Sequence, residues 1–383
     1  MTSAAHQIGR VAIVHEWFTS MRGGEKCVDA LCEVFPKADV YALLHLPGTV
    51  TPAIEQALAR TSFVQHLPAA RTQYRRYLPL FPFAVRQFDL RGYDLVISSN
   101  HCVAKGACVP RNTLHICYCH TPMRYIWGMH DEYFGKGRSD FITRAGMSLF
   151  VGALRRWDLA TAANPHYFVA NSENVRKRIH QIYHRDADVI YPPVDTSLFT
   201  LSSRDDGYYL IVSALVPYKA IDLAITAFNR TGDRLVIVGD GPEAGRLRKI
   251  AGPRIRFEGW QPDKTLREYY SACRGVIFPG EEDFGIVPLE AMASGKPVLA
   301  FGRGGALETV IDTGSLRTGV LFKEQTIDSL TIGLTSLKQV AFDPAALRRH
   351  ALSFDREVYK EKMSTYCLQR AVQFSRQFPE AHM

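Results

Sequence analysis

Short apolar runs, each followed by a stretch with helical spacing, recur along the chain and start afresh halfway. Val11–Val14 leads into a loop holding Gly23 and Gly24, then into a helical pattern carried by Cys27, Ala30, Leu31 and Val34. Asp94–Ile97, Leu114–Cys117 and Tyr167–Ala170 repeat the strand signature. The second half restarts with a strand at Tyr209–Val212 and a helical stretch from Ala220 to Phe228. Leu235–Val238 then runs into Gly239-Asp240-Gly241-Pro242, and further strands are expected at Val276–Phe278 and Pro297–Phe301. Strands without a polar face, alternating with amphipathic helices, predict parallel sheets covered on both sides. Between the halves, the prolines of Tyr191-Pro192-Pro193-Val194-Asp195 stiffen an extended connection. The expected architecture is α/β, with two Rossmann-like doubly wound domains over 1–194 and 195–345. A helical segment over 346–383 is expected to cross back to the first domain. Two doubly wound domains would face an interdomain cleft, with ligands at the carboxyl ends of the strands.

Composition narrows the function classes. With 46% hydrophobic and 22% charged residues, the 383-residue chain is neither disordered nor fibrous. No apolar run approaches the roughly 18 residues of a membrane span, and the polar first ten residues lack a secretory block. The expectation is a cytoplasmic protein. Eight scattered cysteines do not form a disulfide framework. Cys117-Tyr118-Cys119-His120 lacks a second ligand pair, so no metal is expected. Charge is uneven: residues 1–194 carry 22 Lys and Arg against 15 Asp and Glu, while 195–383 carry 24 against 23. A basic first half points to an anionic partner there, such as a membrane surface, a nucleic acid or a phosphorylated lipid.

The most informative stretch is Glu282-Asp-Phe-Gly-Ile-Val-Pro-Leu-Glu290, followed by Ala-Met-Ala-Ser-Gly-Lys-Pro-Val298. A helix is expected to start near Pro288, because proline fits the first turn. Backbone N–H groups at Phe284, Gly285, Ile286 and Val287 would then form an anion site at its positive end. With a carboxylate on either side, the stretch suits a phosphate flanked by hydroxyls, the layout of a nucleotide sugar.

Glu282 and Glu290, with seven residues between them, resemble the E-x7-E signature of retaining glycosyltransferases of family 4, which have the GT-B fold. The resemblance extends over Gly23-Gly24-Glu25, His120-Thr-Pro122, Asn171-Ser172-Glu173, Tyr191–Asp195 and Gly239-Asp-Gly-Pro-Glu243. Cys119–Trp127 and Leu215-Val-Pro-Tyr-Lys219 look like the bacterial mannosyltransferases of O-antigen and polysaccharide synthesis. The resemblance implies that residues 1–194 bind acceptor and 195–345 the nucleotide sugar, with Glu282 on donor-sugar hydroxyls, Glu290 on the ribose hydroxyls, and Gly23 and Gly24 on the diphosphate. It places His120 against the sugar near the reacting carbon, and Lys219 on the leaving diphosphate, where a cation stabilises developing charge. Many members carry an arginine five positions before this lysine; here it is Ala214. Either another base such as Arg124 substitutes, or Lys219 and the helix end act alone. The family is described by a front-face reaction that needs no cofactor or metal beyond the donor, with GDP-mannose favoured and a UDP-sugar possible.

Other features admit two readings. Arg71, Arg75, Arg76, Phe81 and Phe83 suit a segment lying on anionic lipid, or equally a helix–loop–helix whose aromatics fill the core. The lipid reading fits an acceptor carried on a polyprenyl diphosphate, and with it a peripheral place on the inner face of the cell membrane. Arg124, Tyr125, Trp127 and Tyr133 would form an acceptor wall or simply pack. Asp186-Ala-Asp188 mimics a metal motif by chance, being common and remote from the other motifs. Trp260-Gln261-Pro262 is expected to border the nucleobase. The leading expectation is a hexosyltransferase, mannosyl by subgroup, extending a lipid-linked oligosaccharide. A non-transferring GT-B enzyme, such as an epimerase or phosphorylase, is the alternative. A nucleic-acid binder is remote, because no recognition helix, zinc ligands or aromatic RNA-binding motif is present.

Overall fold

The first apolar run extends further than its β-branched core. β1 (Val11–Phe18) continues through His15 and Glu16, and all eight of its residues are buried. The computed structural model describes residues 8–127 and 141–377, the side chains of 141–149 excepted. β1 lies inside a seven-stranded sheet with β2 (Asp39–His45), β3 (Leu58–Thr61), β4 (Leu95–Asn100), β5 (Leu114–Cys119), β6 (Tyr167–Ala170) and β7 (Ala187–Val189), in the order β3-β2-β1-β4-β5-β6-β7. All its pairings are parallel. On one face Ile13, Leu95 and Ile116 pack with Leu31 of helix α1 (Gly23–Val34) and with Tyr359 and Met363. On the other, Ala12, Val14 and Val96 meet Phe81, Val85 and Leu154 of α2 (Phe141–Thr161). Coverage on both sides removes any need for alternation, which is why the strands read as continuous apolar runs.

A second sheet repeats the winding. Its order is β10-β9-β8-β11-β12-β13, with β8 (Tyr208–Val212), β9 (Arg234–Val238), β10 (Ile255–Gly259), β11 (Gly275–Phe278), β12 (Val298–Phe301) and β13 (Gly319–Phe322), again all parallel. In each sheet the order turns back at one place, beside β1 and β4 and beside β8 and β11. Such a switch point leaves a crevice at the carboxyl ends of the strands, where α/β sheets bind ligands.

The chain divides into one compact unit of residues 1–193 and 357–383 and another of 194–356. The closing segment therefore departs from the expected boundary at 346. Helix α6 (Pro344–Leu352) belongs to the second unit, where the Arg348 guanidinium donates to the carbonyls of Phe199 and Ala293 at 2.7 and 2.6 Å. Only from Glu357 does helix α7 (Arg356–Gln377) join the first unit. There Tyr366 and Arg370 donate to Asp188 at 2.9 and 2.7 Å. Asp186-Ala-Asp188 thus contributes a structural anchor for α7.

Candidate active site

In the second unit the loops after β8, β11 and β12 converge. Lys219 ends a short turn, Pro217–Lys219, that follows β8. Its ammonium forms an ion pair with Glu282 Oε1 in the loop after β11, both side chains being partly buried. Helix α5 (Ile286–Ala293) begins four residues after Glu282, slightly before the expected start. Gly285 caps it at φ 86°, a conformation that only glycine adopts without strain. Pro288 occupies the third helical position, so the N–H groups of Ile286 and Val287 lead the helix. Glu290 lies inside α5, buried, and its Oε2 accepts a hydrogen bond from the Tyr270 hydroxyl at 2.8 Å. Burial, reinforced by that carboxylate, pushes the Tyr270 hydroxyl well above its ordinary pKa, so it remains a donor. Phe284 turns its ring inward against Phe354, with centroids 5.9 Å apart, so that its backbone alone faces the helix tip.

Two further parts complete this site, one of them (Gly304 and Gly305) not singled out from the sequence and the other quoted there without a role. Gly304 and Gly305 follow β12, and Gly305 N–H donates to Glu282 O at 2.8 Å. A Cβ at Gly305 would fall 2.2 Å from Phe284 Cα, so the two loops can meet only at a glycine. A paired glycine directly after a strand was the available signal. The Gly239-Asp240-Gly241 turn holds the loop that leads to Lys219: Leu215 N–H donates to Asp240 O at 2.9 Å and Glu243 N–H to Leu215 O at 3.1 Å. Ala214 is exposed in that loop, and Trp260, after β10, is 75% exposed.

In the first unit, the Gly23-Gly24 turn and His120 come together. A side chain at Gly24 would place its Cβ 3.5 Å from His15 and 3.7 Å from His120 Nε2. His120 follows β5, and its Nε2 is 2.9 Å from Ser99 Oγ, which lies 3.1 Å from His15 Nδ1. Below them Glu16 is fully buried. Its Oε1 accepts the N–H groups of His101, Cys102, Val103 and Ala104 at 2.9–3.1 Å, and its Oε2 lies 2.9 Å from His101 Nδ1. Burial alone would raise the Glu16 pKa, but His101 and the amides overcome it and hold the carboxyl far below the usual range. Burial likewise opposes protonation of His101, yet the Glu16 charge raises its pKa. Burial lowers His15 to about 4. Glu25 accepts from the Arg22 N–H at 3.1 Å at the start of α1, and burial raises its pKa. His15, Glu16 and His101 are also close enough together to ligate a metal, but four amides already occupy one oxygen of Glu16. His15, Glu16, Ser99 and His101 were not singled out from the sequence.

Two of the residues expected to form an acceptor wall or simply to pack make contacts within the first unit. Trp127 donates its indole N–H to Asp158 at 2.7 Å, and the Arg155 guanidinium lies 5.4 Å from its ring. Asp158 is buried with Lys105, and Tyr183 donates to it at 2.8 Å. Tyr125 packs on the same apolar cluster as Trp127. Tyr133 lies outside the described residues. In the 71–86 segment Phe81 is buried against Trp17, at 5.9 Å between centroids, because Tyr74–Leu80 forms a tight turn that faces it inward. It therefore cannot lie at a lipid surface. Arg71, Arg75, Arg76 and Phe83 are exposed, and no described helix is long and apolar enough to cross a membrane.

Residues 21–198 match the family described as Glycosyltransferase Family 4, and residues 199–349 match Glycosyl transferases group 1. The chain carries these two glycosyltransferase domains one after the other. An O-antigen chain mannosyltransferase C of Escherichia coli is 28% identical over 166 residues, covering 37% of this chain and 41% of that protein. The alpha-1,3/1,6-mannosyltransferase of Saccharomyces cerevisiae is 29% identical over 198 residues, covering 37% and 39%. A D-inositol 3-phosphate glycosyltransferase of Mycobacteroides abscessus is 29% identical over 216 residues, covering 49% and 48%. The chain spans less than half the length of each of these relatives. Among solved structures, Anabaena HepE in complex with UDP superposes with a TM-score of 0.66 at 16% identity, over 93% of this chain and 99% of that one. Sucrose-phosphate synthase of Thermosynechococcus elongatus gives 0.67 at 17%, over 95% and 99%. These likenesses establish the GT-B fold, two Rossmann-like domains with parallel sheets of seven and six strands.

Proposed function

We propose that the chain transfers a hexose, with retention, from a nucleotide sugar to a lipid-linked oligosaccharide. The Lys219–Glu282 ion pair at the tip of α5 carries this reading, with Glu290 inside the same helix. An incoming diphosphate competes for Lys219 and takes the Ile286 and Val287 amides, releasing Glu282 to accept sugar hydroxyls. Each partner loses one charge-assisted contact and gains another, worth roughly 1.5–3 kcal/mol apiece. A nucleoside diphosphate alone strands Glu282, so the site favours the intact donor. Glu290, fixed by Tyr270, receives the ribose hydroxyls, and exposed Trp260 borders the base.

As the bond to the anomeric carbon breaks, charge grows on the diphosphate, and Lys219 with the helix tip stabilises it. Around His101 and His120, the carboxylates of Glu16 and Glu25 are committed to backbone amides. That commitment favours front-face transfer over a covalent carboxylate intermediate. The names of the bacterial and yeast relatives support mannose as the sugar transferred, with GDP-mannose as the donor proposed. A UDP-sugar is the second reading, because a further HepE structure contains UDP-glucose. Arg71, Arg75 and Arg76, with Leu80 and Phe83, supply a cationic, partly apolar surface suited to anionic lipid.

A panel of GDP- and UDP-sugars with a lipid-linked acceptor tests the reaction. Glu282→Gln is expected to lower transfer about 10²–10³-fold, while binding of the bare nucleoside diphosphate tightens because Lys219 is freed. Unchanged turnover in that variant would refute the assignment.

A further inference from the structure

The buried contacts beneath His120 determine which of its nitrogens carries the proton. His15 sits on β1 and Ser99 on β4, and the two are partners in the parallel register. Ser99 Oγ stands between the rings, 3.1 Å from His15 Nδ1 and 2.9 Å from His120 Nε2. Ser99 is fully buried, and these two ring nitrogens are the hydrogen-bond partners of its hydroxyl among the described residues, so its one hydrogen goes to one ring and it accepts from the other.

Three observations decide the direction. His15 Nε2 is buried without a hydrogen-bond partner. A proton there would be an orphaned buried donor, costlier than an unpaired lone pair. Glu16 Oε2, negatively charged, lies 3.9 Å from His15 Nδ1 and draws the proton to that nitrogen. Burial also keeps His15 neutral at physiological pH, so it has only one proton to place. His15 Nδ1–H therefore donates to Ser99, and Ser99 donates its own hydrogen to His120 Nε2.

We infer that His15 and Ser99 are positioning residues that lock neutral His120 in the Nδ1–H tautomer, making it a fixed hydrogen-bond donor to an oxygen of the donor sugar. The second half of that statement rests on the proposed reading of His120 as a sugar contact; the tautomer does not. A locked donor can hold a ring or hydroxyl oxygen in place through the transition state, and with Nε2 occupied it does not serve as a base. Glu16 and His101 stabilise the relay from below: the four amides and the His101 ring fix the carboxylate, and the carboxylate biases His15.

The test is a long-range proton–nitrogen correlation spectrum of the full chain labelled with nitrogen-15 histidine, at mildly alkaline pH. The His120 signals are assigned by their loss in His120→Gln. A pyrrole-type Nδ1 and a pyridine-type Nε2 are expected for His120. In Ser99→Ala this pattern should give way to a mixture of tautomers, while Ser99→Thr should restore it. Wild-type protein with the His120 proton on Nε2 would overturn the inference. An unchanged spectrum in Ser99→Ala would also overturn it. With the donor identified, Ser99→Ala should lower kcat about tenfold at little change in donor KM, and Ser99→Thr should recover most of it. An altered tautomer with unchanged kcat would leave the lock standing and refute His120 as the sugar contact.

Discussion

In the second unit Lys219 and Glu282, both assigned to the donor, stand on loops that meet through backbone contacts, and their side chains stay partly open to solvent. In the first unit the corresponding groups stand on strand ends and are held from beneath by buried ionisable side chains. Lys219 and Glu282 pair at the surface of a helix tip. His120 instead rests on Ser99 and His15, beside a Glu16–His101 pair whose carboxylate is fully buried. A partly exposed pair can open cheaply for a ligand. A buried one loses several kcal/mol when one partner is removed. The second unit is thus arranged to exchange contacts, and the first to keep them.

The sharpest way to break this contrast is to remove a buried charge from the first unit. Lys105→Ala leaves buried Asp158 with the Trp127 and Tyr183 hydrogen bonds but without its counter-charge, and should cost about 3–5 kcal/mol of stability. Chemical denaturation followed by tryptophan fluorescence reads this well, since Trp17, Trp127 and Trp157 lie in that unit and only Trp260 in the other. Glu282→Gln should leave the same curve nearly unmoved while abolishing most transfer. If the two variants destabilise equally, the contrast fails.

Acid should separate the units next. Burial lowers His15 to about 4 and His115 to about 3, so the folded protein resists protons that the unfolded chain accepts near pH 6.5. Stability from these residues is complete above that pH and declines as pH falls toward 4, on the order of 3 kcal/mol for each. His101, whose pKa is raised, works the other way: its contribution is complete below pH 6.5 and is lost as pH rises. In the second unit, lowered His350 is only partly buried and should contribute less. Hydrogen exchange between pH 7 and 4 should show the first unit opening first. Earlier opening of the second would contradict the account.

The smallest expected effect sharpens the second unit. Tyr270→Phe removes the hydroxyl that orients Glu290 and should cost about 1 kcal/mol, read as a severalfold rise in donor KM with kcat little changed.

The same contrast governs what the sequence made legible. Strands rich in β-branched residues, such as Leu235–Val238, announce themselves, whereas the exposed edge strand β3 and the three-residue β7 carry too few apolar residues to be read. The donor loop is local: its two glutamates, glycine and proline fall within nine consecutive residues, so their spacing exposes their shared purpose. His15 and Ser99 are 84 positions apart and meet only because β1 pairs with β4. No spacing rule joins them. Phe81 illustrates a different limit, since composition suited a lipid surface and the core equally, and the turn preceding it faces it into the core.

The most direct measurement is a crystal structure of the protein with an intact sugar nucleotide bound. The account predicts that Lys219 has left Glu282 for the diphosphate at the Ile286 and Val287 amides, with Glu282 on sugar hydroxyls and Glu290 on the ribose. A donor bound elsewhere, with the Lys219–Glu282 pair still closed, would contradict it.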